Sequence, residues 1–194
     1  MPSPITEYVP QVADGATRRR AWAVWGALVA FAALVVGMVL GAPLARAGGW
    51  ALLSEVLYRS FSVACHQVPE RAFEVAGFPL AVCARCTGLY AGALAGFVFY
   101  PLARTLGRTD APTRVWLLLA AAPTTLDFAL GVTGLWENTH WSRLLTALPL
   151  GAAAAFYVVP GLVELGRRGS WQLFRGRGRA RGLDGADAAP GARA

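Results

Sequence analysis

Long apolar stretches alternate with short arginine-bearing segments along the chain, and this pattern predicts the fold. A helix needs about 20 residues to cross a hydrocarbon core of about 30 Å. Four stretches approach or exceed that length, and they cover residues 21–44, 86–103, 115–136 and 144–165. The pattern therefore predicts an all-α integral membrane protein, built as an antiparallel bundle of four transmembrane helices.

One further helix is predicted in the loop between the first two spans, at residues 50–64. Its apolar and small side chains recur on one face, which consists of Leu53, Val56, Leu57, Ser60, Phe61 and Ala64. This segment is too short to span a bilayer, and Glu55 and Arg59 interrupt it. We therefore expect it to lie in the membrane interface.

Small residues predict where the helices pack, because helix association in lipid depends on close van der Waals contact. The second span has a glycine at every fourth position, at Gly88, Gly92 and Gly96. Glycines with related spacing occur on the first and fourth spans, at Gly37, Gly41 and Gly151. This distribution predicts a compact bundle with the second helix at its centre.

Composition and charge agree with a membrane protein and predict its orientation. Of all residues, 56% are hydrophobic and 15% are charged, with a mean hydropathy of +0.46. The net charge of +7 comes from 18 arginines, of which 13 lie in the two tails and the second loop and 5 in the other two loops. The positive-inside rule then predicts a cell (inner) membrane protein with both termini in the cytoplasm and loop 45–85 outside.

The two ends of the chain are predicted to be cytoplasmic tails, residues 1–20 and residues 167–194. The second tail is rich in Arg, Gly and Ala, and we expect it to be disordered and to set orientation. The lipid bilayer is the expected partner, and no nucleic acid is expected. The first span resembles a signal peptide ending at Ala45-Arg46-Ala47, but it exceeds the usual 7–15 apolar residues, so we predict an uncleaved helix.

The candidate chemistry lies in four residues near the start of the second span: Cys65, His66, Cys83 and Cys86. A C-x-x-C pair presents two sulfur atoms from one turn, and two more ligands complete the tetrahedral set of a structural zinc site. Adjacent residues point in different directions, so the chain must turn near Pro69 if both Cys65 and His66 are ligands. An odd number of thiols leaves one over after a disulfide forms, which favours metal, and zinc is the expected cofactor.

Four charged residues are candidates for a catalytic role beside this cluster: Asp127, Glu70, Arg71 and Arg85. A carboxylate inside a membrane span usually faces the bundle interior or water, so Asp127 is either a base or a tie between helices. Glu70 is the alternative base. Arg71 and Arg85, together with the helix N-terminus, favour thiolates. His140, next to Trp141, is expected to be interfacial rather than a ligand.

Two other functions fit the same residues. The first is thiol–disulfide exchange at Cys83 and Cys86, with Cys65 as a third thiol. A membrane quinone is the alternative cofactor for this function, as the oxidant. The second is a transporter or partner-binding protein in which the cluster is only structural. The sequence contains no Gly-rich phosphate loop, and it identifies neither a substrate nor an oligomeric state.

Two motifs resemble the signature of a known family. They are Cys65-His66-Gln67-x-Pro69-Glu70-Arg71-x-Phe73 and Val82-Cys83-Ala84-Arg85-Cys86-Thr87-Gly88-x-Tyr90-x-Gly92, with Pro123-x-x-x-Asp127 and Asn138…Arg143 further on. Over residues 50–155, the chain is similar to the predicted membrane proteins grouped as domain of unknown function 2085. The resemblance implies a multi-pass membrane protein, and it supplies no activity.

Overall fold

The protein is predominantly helical. The computed structural model describes residues 15–108 and 110–183, and the side chains of residues 18–108 and 110–166. The elements in this part of the chain are α1 (Gly15–Ala47), α2 (Ala51–Ser62), β1 (Glu74–Val75), β2 (Phe78–Pro79), α3 (Ala84–Ala103), α4 (Arg114–Val132) and α5 (His140–Leu183). A short 3₁₀ turn, Pro69–Arg71, precedes the two-stranded hairpin.

Four of these helices are long and apolar enough to cross a bilayer. The candidate spans are Arg18–Ala47, Ala84–Ala103, Arg114–Val132 and His140–Gly166. They coincide with the four predicted runs, so the prediction of an all-α membrane protein with four spans is confirmed. Large apolar side chains remain exposed on the helix surfaces, such as Leu102 at 83% and Leu118 at 70%. Lipid tails cover such surfaces in a membrane.

Helices α3 and α5 form the most extensive helix–helix contact. Gly88, Gly92 and Gly96 are the buried glycines of α3, and a Cβ atom added at any of them would overlap the backbone of α5. Gly151 is the counterpart on α5, where a Cβ atom would overlap the backbone of α3. The predicted packing role of these four glycines is confirmed. A Cβ atom on Gly37 of α1 would have no described atom within 4 Å, so that glycine does not mark a contact.

Helix α2 lies against the end of α1, close to the predicted position of the interfacial helix. The buried hydroxyl of Ser54 donates a hydrogen bond of 3.1 Å to the carbonyl of Ala42. One turn further on, the Leu57 side chain packs beside Gly41. Phe61 is also buried, in a cluster with residues of α1 and of the segment before α3. The helix therefore joins the loop to the bundle.

The face of α2 that packs on α1 differs from the predicted apolar face. Ser54 is on the packed side, whereas Leu53 and Val56 are 43% and 53% exposed. The polar hydroxyl is tolerated inside because a carbonyl at the end of α1 accepts its hydrogen bond. The apolar side chains that are left outside are free to face lipid.

The hairpin closes one end of the bundle. Its turn uses Ala76 and Gly77 at φ +52° and +81°, the combination typical of tight two-residue hairpin turns. Phe73, which leads into β1, packs its ring on His140 and Trp141 at centroid distances of 5.5 and 5.3 Å. The loop is thus fixed to the start of α5. We call this the cysteine end, because all three cysteines are near it.

At the opposite end, side-chain to backbone hydrogen bonds join the helices. The indole of Trp25 donates to the carbonyl of Phe97 at 2.7 Å, which links α1 to α3. The hydroxyl of Tyr157 donates to the carbonyl of Thr113 at 2.8 Å, which links α5 to the start of α4. Both ends of the bundle are therefore held by polar contacts, while its middle is packed by small residues.

Two boundaries differ from the sequence prediction. Helix α4 ends at Val132, four residues before the predicted end at Trp136, because the chain turns through Gly134 at φ +71°. Helix α5 continues to Leu183, beyond the predicted end of the fourth span at Leu165, and the disorder expected over residues 167–194 stays a prediction. The side chains beyond residue 166 and the whole of 184–194 lie outside the described residues, as does most of the N-terminal tail.

Candidate metal centre

Cys65 follows the end of α2 and lies in the same buried cluster as Phe61. Its backbone N–H donates to the carbonyl of Phe61 at 2.9 Å, which continues the last turn of the helix. The residue is only 6% exposed and packs with buried apolar residues of α1 and of the segment before α3, including Val39 and Val82. Its sulfur position is therefore fixed by packing on both sides.

Cys83 and Cys86 occupy the N-terminus of α3. Cys83 is the residue immediately before the helix, with extended backbone angles, and its carbonyl accepts the N–H of Thr87 at 2.9 Å. Cys86 follows within the first turn, so both sulfurs are on the same side of the helix start. Unpaired backbone N–H groups give this end of the helix a partial positive charge, which favours thiolates.

The three sulfur atoms converge. They all lie within 4.8 Å of one another, although Cys65 comes from a different segment of the chain than Cys83 and Cys86. The backbone N–H of Cys83 donates to the sulfur of Cys65 at 3.3 Å, a contact that ties the two segments together. The structure thus brings together three of the four residues predicted as ligands.

Gln67 joins the end of α2 to the segment before α3 through a pair of hydrogen bonds, which we call the bracket. No role was predicted for this residue from the sequence. Its side-chain amide donates to the carbonyls of Tyr58 and Ala81, at 2.6 and 2.8 Å. Its own backbone is in the left-handed region, with φ +50°, so the chain reverses at this position. The predicted turn after Cys65 therefore occurs at Gln67, two residues before Pro69. The only sequence signal was its place within the Cys65 motif.

The Cys83 thiol is far more acidic than an ordinary cysteine. The pKa of Cys83 is lowered from 9.0 to about 5, and the largest cause is the hydrogen bond that the Cys86 thiol donates to it. The backbone N–H groups of Cys86 and Arg85 and the thiol of Cys65 act in the same direction, and burial opposes them. Because the thiolate is the form that binds metals and attacks disulfides, the site is reactive in either chemistry.

A cavity of about 400 Å³ opens beside the sulfur atoms. All three cysteines line it, together with His66, Arg71 and Arg85 from the predicted site. His66 is exposed, and it is not part of the group whose donor atoms lie within 4.8 Å of one another. Glu70 is exposed on the 3₁₀ turn and lies outside the lining of this cavity.

Asp127 is joined to the cysteine end by an ion pair with Arg85. Its carboxylate accepts a hydrogen bond from the Arg85 guanidinium, and the two side chains are 6% and 25% exposed. Arg85 also lies over the ring of Phe128, 5.4 Å from its centroid, and the Asn138 amide donates to the backbone carbonyl of Asp127. Since Arg85 directly precedes Cys86, the carboxylate fixes a residue that flanks a candidate ligand.

His140 is separate from the sulfur atoms. It is half-buried and packs on Phe73, and its expected non-ligand role stays a prediction. Its Nε2 atom has no hydrogen-bond partner among the described residues.

Comparison with known proteins identifies the family of this chain. A family model described as "Predicted membrane protein (DUF2085)" matches residues 65–157. The uncharacterized protein MJ1492 of Methanocaldococcus jannaschii is 35% identical over 116 residues, which cover 60% of this chain and 74% of that protein. An uncharacterized protein of Methanothermobacter thermautotrophicus is 36% identical over 95 residues, covering 49% of this chain and 84% of that protein. No solved structure matches the chain.

The matched segment begins at Cys65 and includes α3, α4 and the first half of α5. It therefore contains all three cysteines and the Arg85–Asp127 pair, in agreement with the resemblance found in the two motifs. The chain belongs to the DUF2085 family of predicted membrane proteins.

Proposed function

We propose that the protein binds one zinc ion through Cys65, Cys83 and Cys86 at the cysteine end of its membrane bundle. The convergence of the three sulfurs within 4.8 Å supports this. Zinc binds thiolates at about 2.3 Å in a tetrahedron, which sets the sulfurs about 3.8 Å apart. The sulfurs need only a small movement to reach that spacing.

The surroundings of the sulfur atoms favour zinc further. Three thiolates close together repel one another, and a divalent cation offsets their charge. The backbone N–H groups at the start of α3 stabilise the Cys83 thiolate until the metal is bound. Soft sulfur ligands select zinc over magnesium, calcium or manganese.

The fourth coordination position is proposed to face the 400 Å³ cavity. His66 lines that cavity, so a side-chain rotation brings its imidazole toward the ion, and a water molecule is the alternative ligand. A site with an exchangeable ligand is typical of catalytic zinc, which polarises a bound oxygen. The same ion also fastens the end of α2 to the start of α3, a structural role that does not depend on catalysis.

Metal analysis of the purified protein tests the proposal. We expect about one zinc per chain in protein prepared without chelators, and loss of the metal in Cys65→Ser, Cys83→Ser or Cys86→Ser. His66→Ala should retain zinc with weaker affinity, because water can replace the imidazole. His140→Ala is the matched control and should bind zinc as the unchanged protein does.

Thiol–disulfide exchange is the second candidate, and the low pKa of Cys83 beside two further thiols supports it. A Cys83–Cys86 disulfide would oxidise a substrate dithiol, and a membrane quinone would then take two electrons and two protons to restore the disulfide. Protein that lacks metal and shows this disulfide by mass spectrometry would overturn the zinc proposal. Cys65 would then be the resolving thiol.

A further inference from the structure

A second cavity of about 560 Å³ lies next to the cysteine cavity, and we call it the arginine pocket. Three arginines from three separate elements line it: Arg71 from the 3₁₀ turn, Arg85 from α3 and Arg143 from α5. Phe128 and Trp136 supply an apolar border. Arg71, Arg85 and Phe128 line both cavities, so the two spaces are adjacent.

The charges of this pocket are not balanced by the protein. Asp127 neutralises Arg85, but neither Arg71 nor Arg143 forms an ion pair with a carboxylate among the described side chains. Glu137 also lines the pocket; it is exposed and makes none of these pairs. Three arginines against the carboxylates of Asp127 and Glu137 leave a net charge of +1 at the pocket.

Arg143 is half-buried near the start of a candidate span, and the charges of Arg71 and Arg85 repel its own. Placing like charges together in a partly desolvated space is unfavourable unless an anion joins them. The pocket therefore offers positive charge that the protein does not fully compensate.

We propose that the arginine pocket binds a phosphate group. A phosphate monoester carries about −1.5 to −2 charge and three acceptor oxygens at neutral pH, so one such group can accept hydrogen bonds from the guanidiniums of Arg71 and Arg143 together. Guanidinium groups bind phosphate in a two-pronged geometry that an ammonium group cannot reproduce. A single carboxylate would leave one arginine without a partner.

Two sources supply this chemistry. One is the headgroup of an anionic phospholipid, whose tails would lie along the exposed apolar side chains of α4 next to Phe128. The other is a free phosphate ester. This site is distinct from the sulfur atoms, so it does not require that zinc be bound.

Binding is measured in the full-length protein as purified in an uncharged maltoside detergent, and again in the zinc-free Cys83→Ser variant, so that phosphate bound to the metal is recognised as binding that is lost with it. Inorganic phosphate is titrated by calorimetry, and binding of short-chain phosphatidic acid and of diacylglycerol is followed by native mass spectrometry. We expect Arg143→Gln and Arg71→Gln each to raise the Kd for phosphate or phosphatidic acid by about tenfold, because each variant loses one charged contact to the phosphate. Arg143→Lys should recover part of the affinity because it keeps the positive charge, and a melting temperature equal to that of the parent protein shows that each glutamine variant folds.

The control is Arg46→Gln, an exposed arginine at the same end of the bundle that lines neither cavity. It should bind as well as the parent protein. Binding of inorganic phosphate would support a free ester as the ligand, and binding of phosphatidic acid alone, without diacylglycerol, would support a lipid headgroup. Binding of neither probe, or equal binding by the Arg143, Arg71 and Arg46 variants, would overturn the proposal.

Discussion

At the scale of single residues, Asp127 decides how α3 and α4 meet. A carboxylate in a candidate span loses its hydration, and it remains charged only beside a cation. Arg85 supplies that cation from the first turn of α3, next to Cys86. The two roles considered for Asp127, a tie between helices and a functional acid, are therefore linked, because the tie itself positions a neighbour of the candidate ligands.

A double-mutant cycle measures this pair. Asp127→Leu leaves the partly buried guanidinium without a counter-ion, so it should destabilise the protein more than the double variant Arg85→Met/Asp127→Leu does. Breaking a fully buried pair costs about 3–5 kcal/mol, and the partial exposure of Arg85 reduces the expected coupling to about 1–3 kcal/mol. Thermal unfolding in detergent is the measurement.

The Arg59–Glu55 pair on the surface of α2 is the matched control for that cycle. Its side chains are 79% and 48% exposed, so its coupling should be under about 0.5 kcal/mol. A coupling for Arg85 and Asp127 no larger than this control value would show that the pair does not hold the helices together.

The acidity of Cys83 makes a second prediction at this scale. In metal-free protein, the rate of Cys83 alkylation should rise between about pH 4 and pH 6 and then level off, because its pKa is lowered to about 5. The Cys86 thiol is the largest cause, so Cys86→Ala should move the midpoint upward, toward the usual cysteine range. Mass spectrometry after timed alkylation gives the profile. A midpoint that stays low in Cys86→Ala would contradict the assigned cause.

At the scale of elements, the contact of α3 with α5 depends on the absence of side chains. A Cβ atom at Gly92 would overlap the carbonyl oxygen of Leu148, and rigid backbone cannot move aside cheaply. Gly92→Ala should therefore destabilise the protein by about 1–3 kcal/mol. Gly37→Ala, where a Cβ has open space, should be neutral or slightly stabilising because alanine favours helix. Equal melting temperatures for the two variants would contradict this packing.

These elements were largely predictable, because the length of an apolar run and the spacing of small residues are local properties of the chain. The four spans and the role of Gly88, Gly92 and Gly96 follow from them. The packed face of α2 was not predictable from the spacing of apolar residues. Its buried Ser54 is accommodated by a single hydrogen bond to α1, and such a contact leaves no periodic pattern in the sequence. The early end of α4 depends on Gly134 in a left-handed turn, within a stretch that is otherwise apolar.

The candidate site was predictable only in part for a similar reason. The convergence of three cysteines was predicted from the C-x-x-C pair and the short separation of Cys65. The bracket formed by Gln67 and the place of Arg143 in the arginine pocket were missed, because both depend on contacts between distant segments. Their signal in the sequence was limited to membership of the family motifs, which name positions and give no geometry.

At the scale of the whole molecule, the surface and the charges make one orientation of the protein favourable. Large apolar side chains cover the outside of all four candidate spans, so a bilayer must surround them. Of the 18 arginines, 13 lie in the two tails or in the loop between the second and third spans, and 5 lie in the other two loops. By the positive-inside rule, that asymmetry predicts a cytoplasmic location for the tails and an external location for the cysteine end.

Reporter fusions at two glycines test this orientation. Gly48 is in the loop between α1 and α2, and Gly107 is in the loop between α3 and α4. A reporter that is active only outside the cytoplasm should be active after insertion at Gly48 and inactive after insertion at Gly107.

Thiol labelling with a reagent that cannot cross the membrane gives the same information without a fusion. The native cysteines should be labelled in intact cells once metal is removed. A single thiol introduced by Gly107→Cys in a cysteine-free background should not be labelled. The result bears directly on the metal site, because free thiols oxidise outside the cytoplasm and persist within it. A cytoplasmic Gly48 would place the sulfur atoms in a reducing compartment, where three unpaired thiols need no metal, and the preference for zinc would then rest on geometry alone.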